Sequence, residues 1–222
     1  MREAIFSMAM ASAPGPDGLR VSHLRQMLSE EVGEEASRLS QTLDLFASVI
    51  TSGRVPDSIR PYFFGARLVA LSKQKGSIRP IAIGQCLRRA ICRAVCIQMR
   101  EVSTKLLEPY QLGDGSRDGA TAAAHAARRF LNSGGCGFVK IDFRNAFNEL
   151  SRSALLEAVM RLTPELFRLD SCVYGRDSFL FYENDIIRSE RGVQQGDPLG
   201  PLLFALALRD LAHNSIAPFA VY

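Results

Sequence analysis

Fifty-three residues separate Asp142 from Gln195, and the segments around these two positions limit what the chain can fold into. Val139, Ile141 and Phe143 alternate with Lys140, Asp142 and Arg144, the period of a half-buried strand, and the segment ends on a carboxylate just before Ala146-Phe147-Asn148. Arg191-Gly-Val-Gln-Gln195-Gly-Asp-Pro198 is a turn sequence that runs directly into the apolar stretch Leu202–Leu208. A strand that ends in an acid and a Gly-Asp-Pro turn that feeds a helix both need a mixed scaffold of sheet and helix. With 222 residues, 47% of them hydrophobic, the chain can bury a large core as one domain or two subdomains.

The rest of the chain reads as helices around a small hairpin. Met1–Ala13 is an amphipathic helix leading into the turn Pro14-Gly-Pro-Asp-Gly18, and Leu19–Ser29 is a second helix. Glu30, Glu31, Glu34 and Glu35 open a third, in which Leu39, Leu43, Phe46 and Ile50 share a face. Arg67–Leu71 and Ile78–Ile83 read as strands joined by the basic turn Lys73-Gln-Lys-Gly-Ser77, and Pro80 confines the second strand to an edge or a partly paired position. Helices are predicted from Cys86 to about Lys105, over Ala120–Leu131 and over Ser153–Leu162. Thr163-Pro164 restarts a short helix, and Phe179–Tyr182 with Ile186–Arg188 forms a hairpin.

Charge is unevenly placed along the sequence. Residues 1–100 carry 14 Lys and Arg against 8 Asp and Glu, while residues 101–222 carry 13 against 15. Nine basic residues and no acid lie between Ser58 and Arg100, a pattern that favours a polyanionic partner. The five cysteines have no CxxC spacing and read as reduced, mostly buried thiols of an intracellular protein. The three histidines form no metal or triad spacing. The longest apolar run, Leu202–Leu208, falls far short of the ~20 residues a bilayer needs, so no membrane segment is expected.

Taken with Arg79-Pro-Ile81 and Gly15-Pro-Asp-Gly18, the Asp142 and Gln195 segments resemble, in order, the motifs of reverse transcriptases, especially those of non-LTR retrotransposons. The resemblance runs from Gly15 to Leu208. It implies an α+β fold: right-hand polymerase fingers with an incomplete palm, an antiparallel sheet packed with helices. Residues 1–137 would be fingers and connecting helices. Residues 138–222 would be partial palm, with a fingers insertion around 151–190. The implied chemistry joins a primer 3′-hydroxyl to the α-phosphate of a dNTP on an RNA template with a DNA primer. Two Mg²⁺ ions neutralise charge and hold the triphosphate in line.

By this resemblance Asp142 is the catalytic metal ligand, with the backbone carbonyl of Phe143 as a further donor. Phe147 is an aromatic gate under the sugar, and Gln195 and Gly196 lie near nucleotide and template base. Arg79 and Lys73 grip the triphosphate, with Lys75 a competitor for the second role. Read from the residues alone, Asp142 is better explained as a turn cap than as a metal ligand, and Phe147 has the alternative of a core aromatic opening a helix. Arg88, Arg89 and Arg93, with Arg100, are candidates to follow template phosphates, or else a solvated helix face. Asp197 reads as a turn or cap residue, and Gly200 stands where the family usually has Ser.

The sequence ends at Tyr222, before the Tyr/Phe-x-Asp-Asp turn that the family would place next. The only adjacent acids are Glu30-Glu31 and Glu34-Glu35, on a surface helix. This stretch alone is therefore expected to lack polymerase activity, and the Val139–Phe143 strand, without its partner hairpin, to be an aggregation-prone edge. The alternatives are a non-catalytic nucleic-acid-binding protein on the same scaffold and a functionless remnant.

Overall fold

The computed structural model describes residues 1–72, 78–116, 118–135, 137 and 141–213. The segment 73–77 predicted as a basic turn, with Lys73 and Lys75, and residues 139 and 140 of the predicted strand 139–143 lie outside the described residues. Ile141, Asp142 and Phe143 are exposed and sit in no strand ladder.

Two core clusters organise the helices. The smaller packs Ile5 of α1 (Arg2–Ser7), Val21 and Leu24 of α2 (Val21–Met27) and Leu43 of α3 (Glu34–Thr51) against Cys86 and Ala90, which open α5 (Cys86–Leu107). The periodic face predicted for α3 forms: Ala36, Leu43 and Ile50, seven residues apart, are buried. Glu34 and Glu35 occupy its first turn, where they oppose the helix dipole, and Glu34 pairs with Arg38 at 2.8 Å. The larger cluster draws Ile91, Val95 and Met99 of α5 together with α8 (Arg152–Leu162), α9 (Phe167–Tyr174) and α10 (Gly200–His213). Leu155, Leu169, Leu199, Leu203 and Leu206 are its fully buried centre. The remaining helices are α4 (Arg60–Phe63), α6 (Gly119–Asn132) and the single turn α7 (Ala146–Glu149). Thr163-Pro164 restarts the chain as a 3₁₀ turn at Pro164–Leu166, although the Thr163 side chain does not cap it.

Four strands form one sheet in the order β2 (Ile78–Gly84), β1 (Ala66–Ser72), β3 (Ser178–Tyr182), β4 (Asp185–Ser189). Both predicted strand pairs are present, and β2 lies at an edge, one of the two positions that Pro80 allows. The sheet is mixed rather than purely antiparallel, because β3 joins β1 in parallel at Ala66↔Leu180 and Arg67↔Phe181. A parallel neighbour needs a long crossover, here supplied by the helices between β2 and β3.

The edge of β2 shows why Pro80 is tolerated. Ala82 turns its N–H away from β1 and donates it to the Gln195 carbonyl at 2.8 Å. Pro80, two residues earlier, faces the same outer edge, so its missing N–H leaves the β1–β2 ladder intact.

The segment before α10 reaches back to α7 in the same way. Val193 donates its N–H to the Phe147 carbonyl at 2.8 Å, and Gly192 to the Leu150 carbonyl at 3.0 Å. Gly192 has φ +67°, and a Cβ there would stand 2.3 Å from the Phe147 carbonyl oxygen. At Gly200 a Cβ would meet Phe147 at an ordinary 3.6 Å, so the serine usual in the family fits. Gly192→Ala is expected to cost about 1–3 kcal/mol in urea unfolding, whereas Gly200→Ala should be neutral or stabilising by up to ~1 kcal/mol.

Candidate nucleotide-transfer site

The two motifs that stand far apart in sequence meet at the Gln194–Pro198 turn. One side of the turn is tied to α7 through Val193 and Phe147, and the other to β2 through Gln195 and Ala82. Phe147 on α7, five residues after Asp142, and β2, which carries Arg79, are thereby attached to a common support. Gly196, at φ +126°, lies so close to β2 that a Cβ would fall 2.6 Å from the Ala82 carbonyl oxygen. Its glycine is thus required by the packing of turn on strand.

Asp142 is exposed, and Phe143, at 47% exposure, sets its ring edge-on to Phe204 of α10 with 6.4 Å between centroids. Phe147 is half-buried and packs on the same ring at 5.2 Å. Phe204 therefore props both aromatics that follow the acid in sequence. Arg79 is exposed on the β2 edge strand, opposite Leu71 in register. Of the two adjacent glutamines the structure buries Gln194 and leaves Gln195 half-exposed.

Magnesium demands an octahedral shell of oxygen ligands. Asp142 and the Phe143 carbonyl supply part of one, but among the described residues no three His, Cys, Asp or Glu gather to hold a metal. These donors do not fit a two-metal centre on their own.

Beneath the turn lies a polar network that sequence reading missed. Arg88, on α5, donates to the Phe64 carbonyl and to Gln194 Oε1, each at 2.6 Å, and to Asp197 Oδ2 at 2.7 Å. Tyr174 donates its hydroxyl to the same Asp197 oxygen at 2.6 Å and accepts from the Gln194 N–H. Gln194 Nε2 donates to the Phe64 carbonyl and to Ser178 Oγ on β3. The other carboxylate oxygen of Asp197 caps the approach to α10 by accepting from the Leu199 N–H at 3.0 Å. Asp197 thus performs the cap role expected of it and, in addition, carries a buried ion pair.

Burial alone lowers the pKa of the Arg88 guanidinium, but Asp197, then Tyr174 and Cys92, hold it above its ordinary value. Burial, followed by Asp197, pushes the Tyr174 hydroxyl well up, so it stays a donor.

The expectation that Arg88, Arg89 and Arg93 follow template phosphates is corrected for the first two. Arg88 is 2% exposed and fully engaged, because it falls on the apolar stripe of α5 that continues through Ile91, Val95 and Met99. That spacing was the available signal. Arg89 is buried and donates to the Ala13 carbonyl. Arg93 is exposed, with its Nε on Ser7 Oγ at 3.0 Å. Arg60, from the same acid-free stretch, is buried against the carbonyls of Cys172, Arg176 and Asp177. Much of the basic bias between Ser58 and Arg100 therefore serves the protein's own backbone.

Four of the five cysteines are among the described residues, all as free thiols, and Cys136 lies outside them. Cys86 and Cys92 are buried, Cys96 and Cys172 half-buried, and burial drives Cys96 up to about 12, far from reactive thiolate.

Against this geometry, residues 71–221 match the family described as reverse transcriptase (RNA-dependent DNA polymerase), and the chain belongs to that family. It is similar to the retrotransposable element SLACS 132 kDa protein of Trypanosoma brucei gambiense, 33% identical over 146 residues, which is 63% of this chain and 12% of that protein. It is also similar to the retrovirus-related Pol polyprotein from the type-2 retrotransposable element R2DM of Drosophila melanogaster, 26% identical over 220 residues, which is 90% of this chain. The chain spans 19% of that second relative's length. Among the described residues no helix is long and apolar enough to cross a membrane.

Two stability tests follow from the buried network. Arg88→Met, which strands Asp197 and Gln194, is expected to cost about 3–5 kcal/mol in urea unfolding, and Arg88→Met with Asp197→Leu should recover part of that loss. Asp170 on α9 is fully buried with neither carboxylate oxygen hydrogen-bonded, and burial, then the charge of Asp197, raises its pKa well above the ordinary value. In the unfolded chain an aspartate titrates near ~3.9, so the folded state is penalised increasingly as pH climbs above that point. Asp170→Asn should resist urea better than wild type at pH 7, with the difference closing towards pH 4. A pH-independent difference would show that Asp170 is not the titrating group.

Proposed function

We propose that this chain is the fingers and partial palm of a non-LTR retrotransposon polymerase that copies RNA into DNA. The observation that carries this reading is the Gln194–Pro198 turn, hydrogen-bonded on one side to Phe147 and on the other to the strand bearing Arg79. A polymerase needs a carboxylate near the reacting phosphate, a wall for the sugar and a cation for the triphosphate. Asp142, Phe147 and Arg79 are of those types; the turn holds together the elements of Phe147 and Arg79, and Asp142 lies five residues before Phe147.

In this reading Asp142 and the Phe143 carbonyl serve Mg²⁺, which when bound neutralises phosphate charge. Phe147, propped by Phe204, excludes a 2′-hydroxyl. Gln195 and Gly196 border the base, and Arg79, with Lys73, grips the β- and γ-phosphates. RNA template, DNA primer and dNTP are the partners. The only adjacent acids in these 222 residues are Glu30-Glu31 and Glu34-Glu35, so this chain by itself should not extend a primer.

The test is made in the longer protein that carries this domain, with primer extension on an RNA template. Asp142→Asn should abolish extension. Arg79→Ala should lower kcat about 10²–10³-fold. Phe147→Val should raise incorporation of ribonucleotides relative to deoxyribonucleotides. Full activity in Asp142→Asn would remove the reading altogether.

A further inference from the structure

The Gln194–Pro198 turn has buried ends and an open middle. Asp197 donates its N–H to the Gln194 carbonyl at 3.0 Å, the bond that closes a β-turn and makes Gln195 and Gly196 its two central residues. Gln195 is half-exposed and Gly196 exposed, whereas Gln194 is 5% exposed and Asp197 is buried. Asp197 holds one end through its ion pair with Arg88. Gln194 holds the other, and each of its polar atoms is engaged. Its N–H donates to the Tyr174 hydroxyl at 3.3 Å and its carbonyl closes the turn. Oε1 accepts from Arg88, while Nε2 donates to the Phe64 carbonyl at 3.1 Å and to Ser178 Oγ at 3.0 Å.

These partners come from four places in the fold: α5, the junction of α4 with β1, the first residue of β3 and the last of α9. The chemistry of the side chain is specific. An amide offers one acceptor and two donors, and all are used; a glutamate could not donate to the Phe64 carbonyl, and a methionine could do neither. Turning the amide over would set its oxygen against the Phe64 carbonyl oxygen and its N–H groups against the Arg88 guanidinium. On the outer side the turn cannot move towards β2, because Gly196 already lies against the Ala82 carbonyl. The position of Gln195 is therefore set from below by its neighbour in sequence.

We infer that Gln194 is a positioning residue, which fixes the turn so that Gln195 and Gly196 present one shape to the incoming nucleotide. This role rests on the polymerase reading above. Gln194 is buried and touches no substrate itself, and its side chain makes no hydrogen bond to α7 or β2. Its loss therefore weakens the seat of the nucleotide in ground state and transition state alike, which raises KM and leaves kcat, set by Asp142 and Arg79, nearly unchanged. A residue that served only folding would not separate the two constants.

The test is single-nucleotide primer extension by the longer protein that carries this domain, with dNTP concentration varied to give KM and kcat. Gln194→Met, which keeps the length of the side chain and removes its amide, should raise KM about tenfold with kcat within about threefold of wild type. Gln195→Ala should also raise KM. Adding Gln194→Met to it should raise KM by less than about twofold more, because one residue acts through the other. Tyr174→Phe, which removes only the hydroxyl that accepts from Gln194, should raise KM about threefold, and it carries the same test if Gln194→Met does not fold. Leu43→Ala destabilises the smaller core cluster, which the turn does not enter, and should leave KM unchanged. An unchanged KM in the folded variant, a fall in kcat at constant KM, no effect of Gln195→Ala, independent effects in the double variant, or an equal rise in Leu43→Ala each overturns the positioning role and leaves the polymerase reading standing. No extension by wild type overturns both.

Discussion

A single buried ion pair organises this domain. Arg88 and Asp197, 2.7 Å apart and 109 residues apart in sequence, join the long helix of the first half to the turn that starts the last helix. Removing both charges from water is costly, and the cost is offset only because every neighbouring group contributes a bond: Phe64 by its carbonyl, Gln194 by its amide oxygen, Tyr174 by its hydroxyl. The network therefore admits one arrangement of α5, α9, β3 and the turn. Everything on the surface of that turn, including Gln195 and the close approach of Gly196 to β2, inherits its position from the pair below.

Arginine is used here in two physically different ways. Arg60, Arg88, Arg89 and Arg152 turn inward, and their planar forks satisfy carbonyls that loops would otherwise leave unpaired; Arg152 alone reaches the carbonyls of Gly192 and Ser189. Arg67, Arg79 and Arg188 are exposed on the sheet, where their partners in register, Ile83, Phe181, Leu71 and Phe179, are apolar and Asp177 approaches Arg188 at 3.9 Å. Local charge density is the same for both sets, so a linear count cannot separate them. Helical phase separates one case, since Arg88 falls on the apolar stripe of α5, and sheet register separates the other.

The conformational demands of the glycines follow the same division. Gly192 and Gly196 are glycine because backbone from distant parts of the chain occupies the space of a Cβ. Gly200 meets no such neighbour, and its departure from the family's usual serine leaves the approach to α10 and the Phe147 contact undisturbed.

Much of the local structure was legible in the sequence because its causes are local. Periodicity placed the buried faces of α3 and α5, turn residues bounded both hairpins, and Pro80 assigned β2 to an edge through a missing donor. The family was legible too, in short motifs whose order is rarely matched by accident. Contacts closed by long loops were not: the parallel entry of β3 beside β1, the Arg88–Asp197–Tyr174 network and the unpaired burial of Asp170 each join segments that no periodicity connects. The sequence by itself determined which residues are chemically able to bind metal, phosphate or base. Only the tertiary structure decided which arginines are spent inside and which remain at the surface, because a guanidinium's partner is set by what the fold brings within hydrogen-bond distance.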